Sequence, residues 1–229
     1  MKIKWRNEII SLLFIVAAFI FALISWNRVP NRTPVHWNFA GRPDGYGGKF
    51  EALLLMPLIA AGIYLMLIVL PGIDPRKENY QRMANTYSVI RMAIVVYMSV
   101  FSVVLTLVAR GAALKVELIV PVMVGALFVI LGNYFGKLRQ TWFVGIRTPW
   151  TLSSTLSWNK THALGGKVFI GFGIGLIIAA LVGKGWLFTV AAVAGGLGIL
   201  YTIYYSYLVW KSDPAKKDPV FSAARPGGA

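Results

Sequence analysis

Cysteine is absent from the 229 residues, histidine occurs only at His36 and His162, and 8 acidic residues stand against 23 basic ones. Without cysteine there are no disulfides, thiolate nucleophiles or thiolate metal sites, and redox usage says nothing about compartment. Charge of either sign is scarce, at 14% of the chain against about 25% in soluble domains, while hydrophobic residues make up 57%. That balance excludes an ordinary soluble domain and points to a membrane protein. A net charge of +15 would suggest nucleic acid in a soluble chain. Here the charges fall between apolar runs, where they set orientation, so no direct nucleic-acid partner is expected.

A helix needs about 20 apolar residues to cross a hydrocarbon core of about 30 Å, and six runs approach that length. They cover residues 9–26, 52–70, 92–109, 118–135, 168–182 and 186–210. The first has no small-residue cleavage spacing after it, so it reads as an uncleaved span. The fifth is short and joined to the sixth by Gly183-Lys184-Gly185, which predicts an antiparallel helical hairpin. Gly132/Gly136 and Gly171/Gly175 have G-x-x-x-G spacing and are read as packing within one bundle rather than dimerisation. Placing the N-terminus inside puts 16 of the 23 basic residues on the inner side, so the positive-inside rule predicts both termini in the cytoplasm. The expected fold is an all-α integral membrane protein: a six-transmembrane-helix bundle, N-in and C-in, with a structured outer loop and a short surface helix inside. Its parts are residues 1–72, a helical hairpin with its outer loop; 73–117, a connecting segment and third span; 118–210, the core; and 211–229, a disordered tail.

None of the six runs holds an ionisable residue in its interior, which counts against a proton-coupled pump. Arg91 lies at the inner edge of the third, where it is expected to snorkel to the headgroups. The two histidines fall on opposite faces in this topology, so metal hydrolysis is not expected. No enzyme activity and no cofactor are expected.

Two polar segments remain. The outer one, residues 32–49, reads RTPVHWNFAGRPDGYGGK. Pro34 favours an extended run from Val35 to Phe39, and Asp44-Gly45 is a tight-turn signal, so a small hairpin is predicted. Its aromatic residues Trp37, Phe39 and Tyr46 fit either headgroup depth or, with His36, Asn38 and Asp44, an amphipathic surface for a ligand. The inner segment, residues 132–167, carries five basic residues and no acidic one, which suits anionic lipid. Pro149 breaks any helix arriving from Gly145, and Thr151 or Ser153 can cap a surface helix ending at Gly165-Gly166, with Trp158 and His162 sharing a face.

These segments carry a resemblance. The first resembles the P-x-H-W-N-x-x-G-x-x-D-G pattern of a bacterial and archaeal membrane family of unassigned function, matched at Pro34, His36, Trp37, Asn38, Gly41, Asp44 and Gly45. The second resembles the core of the SdpI family, matched at Asn133, Gly136, Gly145, Arg147, Thr148, Pro149, Trp150, Trp158, Thr161, His162 and Gly165. The resemblance implies a prokaryotic plasma-membrane protein giving immunity to a secreted peptide toxin, with signalling through a transcriptional repressor held at the membrane. The expected partners are the lipid bilayer, a peptide toxin outside and a repressor inside, with oligomeric state left open. Ligand-recognition candidates are His36, Trp37, Asn38, Asp44 and Tyr46 outside. Inside they are Asn133, Arg139, Arg147, Thr148, Trp150, Trp158, Thr161 and His162. A small-solute or lipid transporter and a structural or assembly protein are the competing readings.

Overall fold

The computed structural model describes residues 5–38 and 41–216. The role expected of Phe39 and the disorder expected of the tail beyond residue 216 lie outside the described residues. Helix α1 (Trp5–Ser25) ends in a 3-10 turn and a two-stranded antiparallel hairpin, β1 (Thr33–Trp37) with β2 (Pro43–Gly47). There follow α2 (Lys49–Leu53), α3 (Leu55–Ile73), α4 (Lys77–Arg82), α5 (Ala84–Ala109), α6 (Val116–Phe135), α7 (Pro149–Ser153), α8 (Thr155–Val182) and α9 (Gly185–Ser212). Six of these helices, α1, α3, α5, α6, α8 and α9, are long and apolar enough to cross a membrane, as the sequence predicts.

Helices α1, α3 and α5 pack together, as do α6, α8 and α9, and α5 meets α6 between the two groups. Successive spans alternate in direction, which gives the bundle a hairpin face, bearing β1 and β2, and a termini face, bearing α4 and α7. The largest apolar core lies toward the termini face, where Tyr80, Tyr87, Leu138 and Trp158 are buried together. Tyr80 and Tyr87 meet edge to face at 5.0 Å.

Close approach of α6 to α8 depends on glycine. A Cβ on Gly132 would lie 2.6 Å from the Gly166 carbonyl oxygen, and one on Gly166 equally close to that of Gly132. Gly125 and Gly173 repeat the arrangement at 2.5 Å, so the helices touch backbone to backbone through two reciprocal pairs. Gly132 thus packs within the bundle as expected. Gly171 meets nothing within 4 Å among the described residues, whereas a Cβ on Gly175 would lie 3.4 Å from Ala191 Cβ of α9, so of that pair it is Gly175 that marks a helix contact.

Several expectations are corrected. The fifth span is not short: α8 runs unbroken from Thr155, and its first three turns are the stretch expected to lie on the surface. Gly165-Gly166 does not stop it, because both glycines are buried at helix contacts where a larger residue would not fit. The separate short helix of the inner segment is the five-residue α7, capped by Thr148 rather than by Thr151 or Ser153, while Ser154 caps α8. The second apolar run is broken at Leu54 into α2 and α3, with Pro57 in the first turn of α3, where a missing N–H costs little.

A further correction concerns charge. Arg91 does not reach for the headgroups: it is 2% exposed and ion-paired through Nη2 with Glu8 Oε1, also 2% exposed. Tyr64 Oη donates to the other carboxylate oxygen at 3.1 Å. The α1 face that carries Glu8 continues through Ser11, Ile15, Ala18, Ala22 and Ser25, all buried at three- and four-residue steps. It meets a matching α5 face of Arg91, Val95, Ser99, Ser102, Thr106 and Ala109. Glu8 was overlooked because the apolar run begins one residue later. Its place on this periodic stripe is the signal that could have found it.

Candidate functional site

The hairpin is held by its strand pairing and by a small apolar cluster below it. Val35 packs on Val29, Ala52, Leu53 and Ala109, and the buried Thr33 hydroxyl donates to the Pro30 carbonyl at 2.9 Å. Asp44-Gly45 does not make the turn; Asn38, Gly41 and Arg42, between the two strands, supply its described hydrogen bonds. The Gly41 amide donates to the Asn38 carbonyl at 2.9 Å, and the Arg42 amide to Asn38 Oδ1 at 3.0 Å. Gly41 supplies the positive φ of 71° that this turn needs, and its open α-carbon lets the Glu117 side chain of α6 come against it. Asp44-Gly45 lies instead in β2, where Gly45 fits under His36 and the Asp44 carboxylate meets His36 Nδ1 at 2.5 Å. That pair is exposed, so it fixes register more than it stabilises.

Between this hairpin and the ends of α6, α8 and α9 lies a cleft of about 630 Å³, within the range of built ligand pockets. Its apolar floor comes from Val120, Pro121 and Val124 of α6, Leu176 of α8 and Phe188 of α9. Its rim carries His36, Trp37, Asn38 and Asp44 from the hairpin and Glu117 from α6. Among the described residues the lining therefore has two carboxylates and no lysine or arginine, in a chain with 23 basic residues. Such a surface favours a ligand with an apolar body and a neutral or cationic polar edge. Four of the five outer candidates meet here. Tyr46 does not: it is exposed away from the cleft with Arg32 4.9 Å over its ring. The α6 wall went unread in the sequence, although Glu117 is a lone acid opening an apolar span.

The inner candidates do not form one site. Several are the fasteners of a buried polar knot at the termini face. His162 uses both ring nitrogens: Nδ1 lies 2.8 Å from the Trp158 carbonyl and so donates, and Nε2 accepts the Ile146 amide at 2.8 Å. The ring is thereby fixed as a neutral tautomer, stacked on Trp158. Trp158 is fully buried and donates from Nε1 to the Leu138 carbonyl at 2.8 Å. Thr148 and Thr151 cap each other reciprocally, and the Thr148 hydroxyl reaches Ser206 Oγ of α9 at 3.0 Å. Asp74, absent from the sequence reading, accepts from Tyr80 Oη at 3.0 Å and from the Trp142 amide at 2.9 Å, tying α4 to the loop before α7. Burial pushes the Tyr80 phenol above its ordinary value, so it stays a donor. Thr161 is buried with its hydroxyl unpartnered, and Trp150 meets Tyr207 edge to face. Arg147 is exposed and donates to the Trp142 carbonyl at 2.8 Å. Asn133 and Arg139 are exposed at the end of α6 and just beyond it.

Comparison with known proteins bears out the resemblance. Residues 13–61 match a domain of unknown function (DUF1648), and residues 137–206 match the SdpI/YfhL protein family. The chain is also similar to the immunity protein SdpI of Bacillus subtilis (strain 168), at 20% identity over 206 residues covering 90% of this chain and 97% of that protein. No solved structure matches. The cleft lies where the two matched segments come together: its hairpin residues belong to the first, Leu176 and Phe188 to the second, and the α6 wall, Glu117 included, to neither.

Proposed function

We propose that this chain, a membrane protein whose segments match DUF1648 and the SdpI/YfhL family, gives immunity to a secreted membrane-active peptide by receiving it in the hairpin-face cleft. The observation that carries the reading is the cleft itself: apolar below, acidic at the rim and built from both matched segments. A membrane-active peptide presents an apolar face with polar groups along its edge, and this lining complements both. The lysine and arginine distribution supports a hairpin face on the outside of a prokaryotic plasma membrane, the side from which a secreted peptide arrives. The protein acts in this reading by binding, with no chemical step.

Signalling is the second output we propose, by recruitment of a transcriptional repressor to the termini face. Trp142 and Phe143 favour it, since they stand exposed beside Arg147 on the loop before α7. Coupling the two faces then requires two states of the bundle with different affinities for the two partners.

The test is survival of a sensitive bacterium challenged with a panel of membrane-active peptides. Wild type should protect. Trp37→Ala and Phe188→Ala, which strip the cleft from two separate elements, should lose protection at equal membrane level. Protection unaffected by both changes would remove the cleft from the function, and absence of protection across the panel would turn attention to solute uptake in proteoliposomes.

A further inference from the structure

On the termini face, away from the peptide cleft, Arg82 at the end of α4 and Lys137 and Arg139 just beyond α6 line one groove of about 450 Å³. Thr86 of α5 and Asn159 of α8 complete its polar wall, and among the described residues no carboxylate lines it. The three cations are exposed, and none is ion-paired: among the described residues the ion pairs are Glu8 with Arg91 and His36 with Asp44. Neighbours hold the Lys137 ammonium and the Arg139 backbone. Lys137 Nζ lies 4.7 Å over the Tyr134 ring, and the Arg139 amide donates to Met83 Sδ at 3.2 Å. Three like charges converging on one groove repel one another unless an anion lies among them. A hydroxyl and a carboxamide beside them offer further hydrogen bonds to an anion with several oxygens.

The groove also sits at a telling depth. Its walls are helix ends: the turn after α6, the first turns of α8 and the α4–α5 junction. On α8 the long apolar stretch starts only after Lys167, so Asn159 lies toward the polar end of the helix. We propose that this groove binds a phosphate-bearing anion, either the headgroup of an anionic lipid or free phosphate. A basic residue near a membrane surface strengthens anion binding about fivefold, so removing all three should weaken binding roughly a hundredfold.

The test uses the full chain in neutral detergent, with unfolding temperature followed as ligand is added. The probes are short-chain phosphatidylglycerol, short-chain phosphatidylcholine and inorganic phosphate. The variants are the triple R82Q/K137Q/R139Q and, on the opposite face, Lys184→Gln. Because the three side chains are exposed, the triple variant should fold, and its unliganded unfolding temperature checks this. The expected result is a phosphatidylglycerol-dependent rise in wild type and Lys184→Gln, displaced roughly a hundredfold to higher lipid in the triple variant, with no comparable rise from phosphatidylcholine. A matching rise with inorganic phosphate would identify the free anion as a ligand of the same site; a rise with lipid alone would identify the headgroup. Equal responses to the two lipids, equal responses of wild type and triple variant, or no response to any anion would overturn the proposal.

Discussion

Replacing Arg91 by methionine should be among the most damaging single changes in the N-terminal half. Arg91 and Glu8 are each 2% exposed, and Tyr64 is the other polar partner of the Glu8 carboxylate. Removing one member of a buried ion pair leaves the other charge uncompensated, at about 3–5 kcal/mol. Glu8→Leu should cost a similar amount, plus about 1 kcal/mol for the lost Tyr64 hydrogen bond. The double variant Glu8→Leu/Arg91→Met leaves no orphaned charge and fills the seam with apolar volume. It should therefore be more stable than either single variant, which requires a coupling energy above about 4 kcal/mol in a double-mutant cycle. Reversible unfolding of the detergent-solubilised chain measures all four species. Arg91→Met tolerated on its own, with coupling below about 0.5 kcal/mol, would mean that Arg91 reaches the headgroups and the buried pair does not exist.

Gly166→Val should force α6 and α8 apart, because its Cβ would come 2.6 Å from the Gly132 carbonyl oxygen. Overpacking of this kind costs about 1–3 kcal/mol, whereas Gly171→Ala, with nothing within 4 Å, should leave the unfolding midpoint unchanged or slightly raised. Ser154→Ala removes the α8 N-cap, worth about 1 kcal/mol, and should also alter the acid limb of the stability curve. The Ser154 hydroxyl, together with the Ala215 amide, holds the Asp213 carboxyl below its ordinary value. The folded-state value is depressed, so this contribution is present above the unfolded carboxylate value, near pH 4, and is lost as pH falls through the folded one. The acid loss should be shallower in Ser154→Ala; an unchanged slope would remove Asp213 from the acid response.

The spans were legible because length and apolarity alone decide whether a helix can cross a bilayer. The hairpin was legible from Pro34 and the glycines, but its turn was misplaced. Asp44-Gly45 carries a strong local turn signal, and tertiary pairing with His36 overrode it. The same holds for Trp158 and His162, whose four-residue spacing correctly put them on one face. Their depth came from the Leu138 and Ile146 backbone groups they bind, which are distant in sequence. The hairpin side of the candidate cleft was visible as His36, Trp37, Asn38 and Asp44. The helix side, Val120, Pro121, Val124, Leu176 and Phe188, looks like ordinary span sequence, and only the packing of three helices turns it into a floor.

The most direct test of a peptide-receiving cleft is photo-crosslinking in membranes, with a photoreactive residue at Val124 on the cleft floor and, as a control, at Leu200 on the exposed side of α9. A peptide against which the chain protects should be captured at position 124 and not at 200, and Trp37→Ala should abolish that capture. Equal capture at both positions, or capture at 124 that survives loss of Trp37, would show that the peptide meets this protein only as it meets the surrounding lipid.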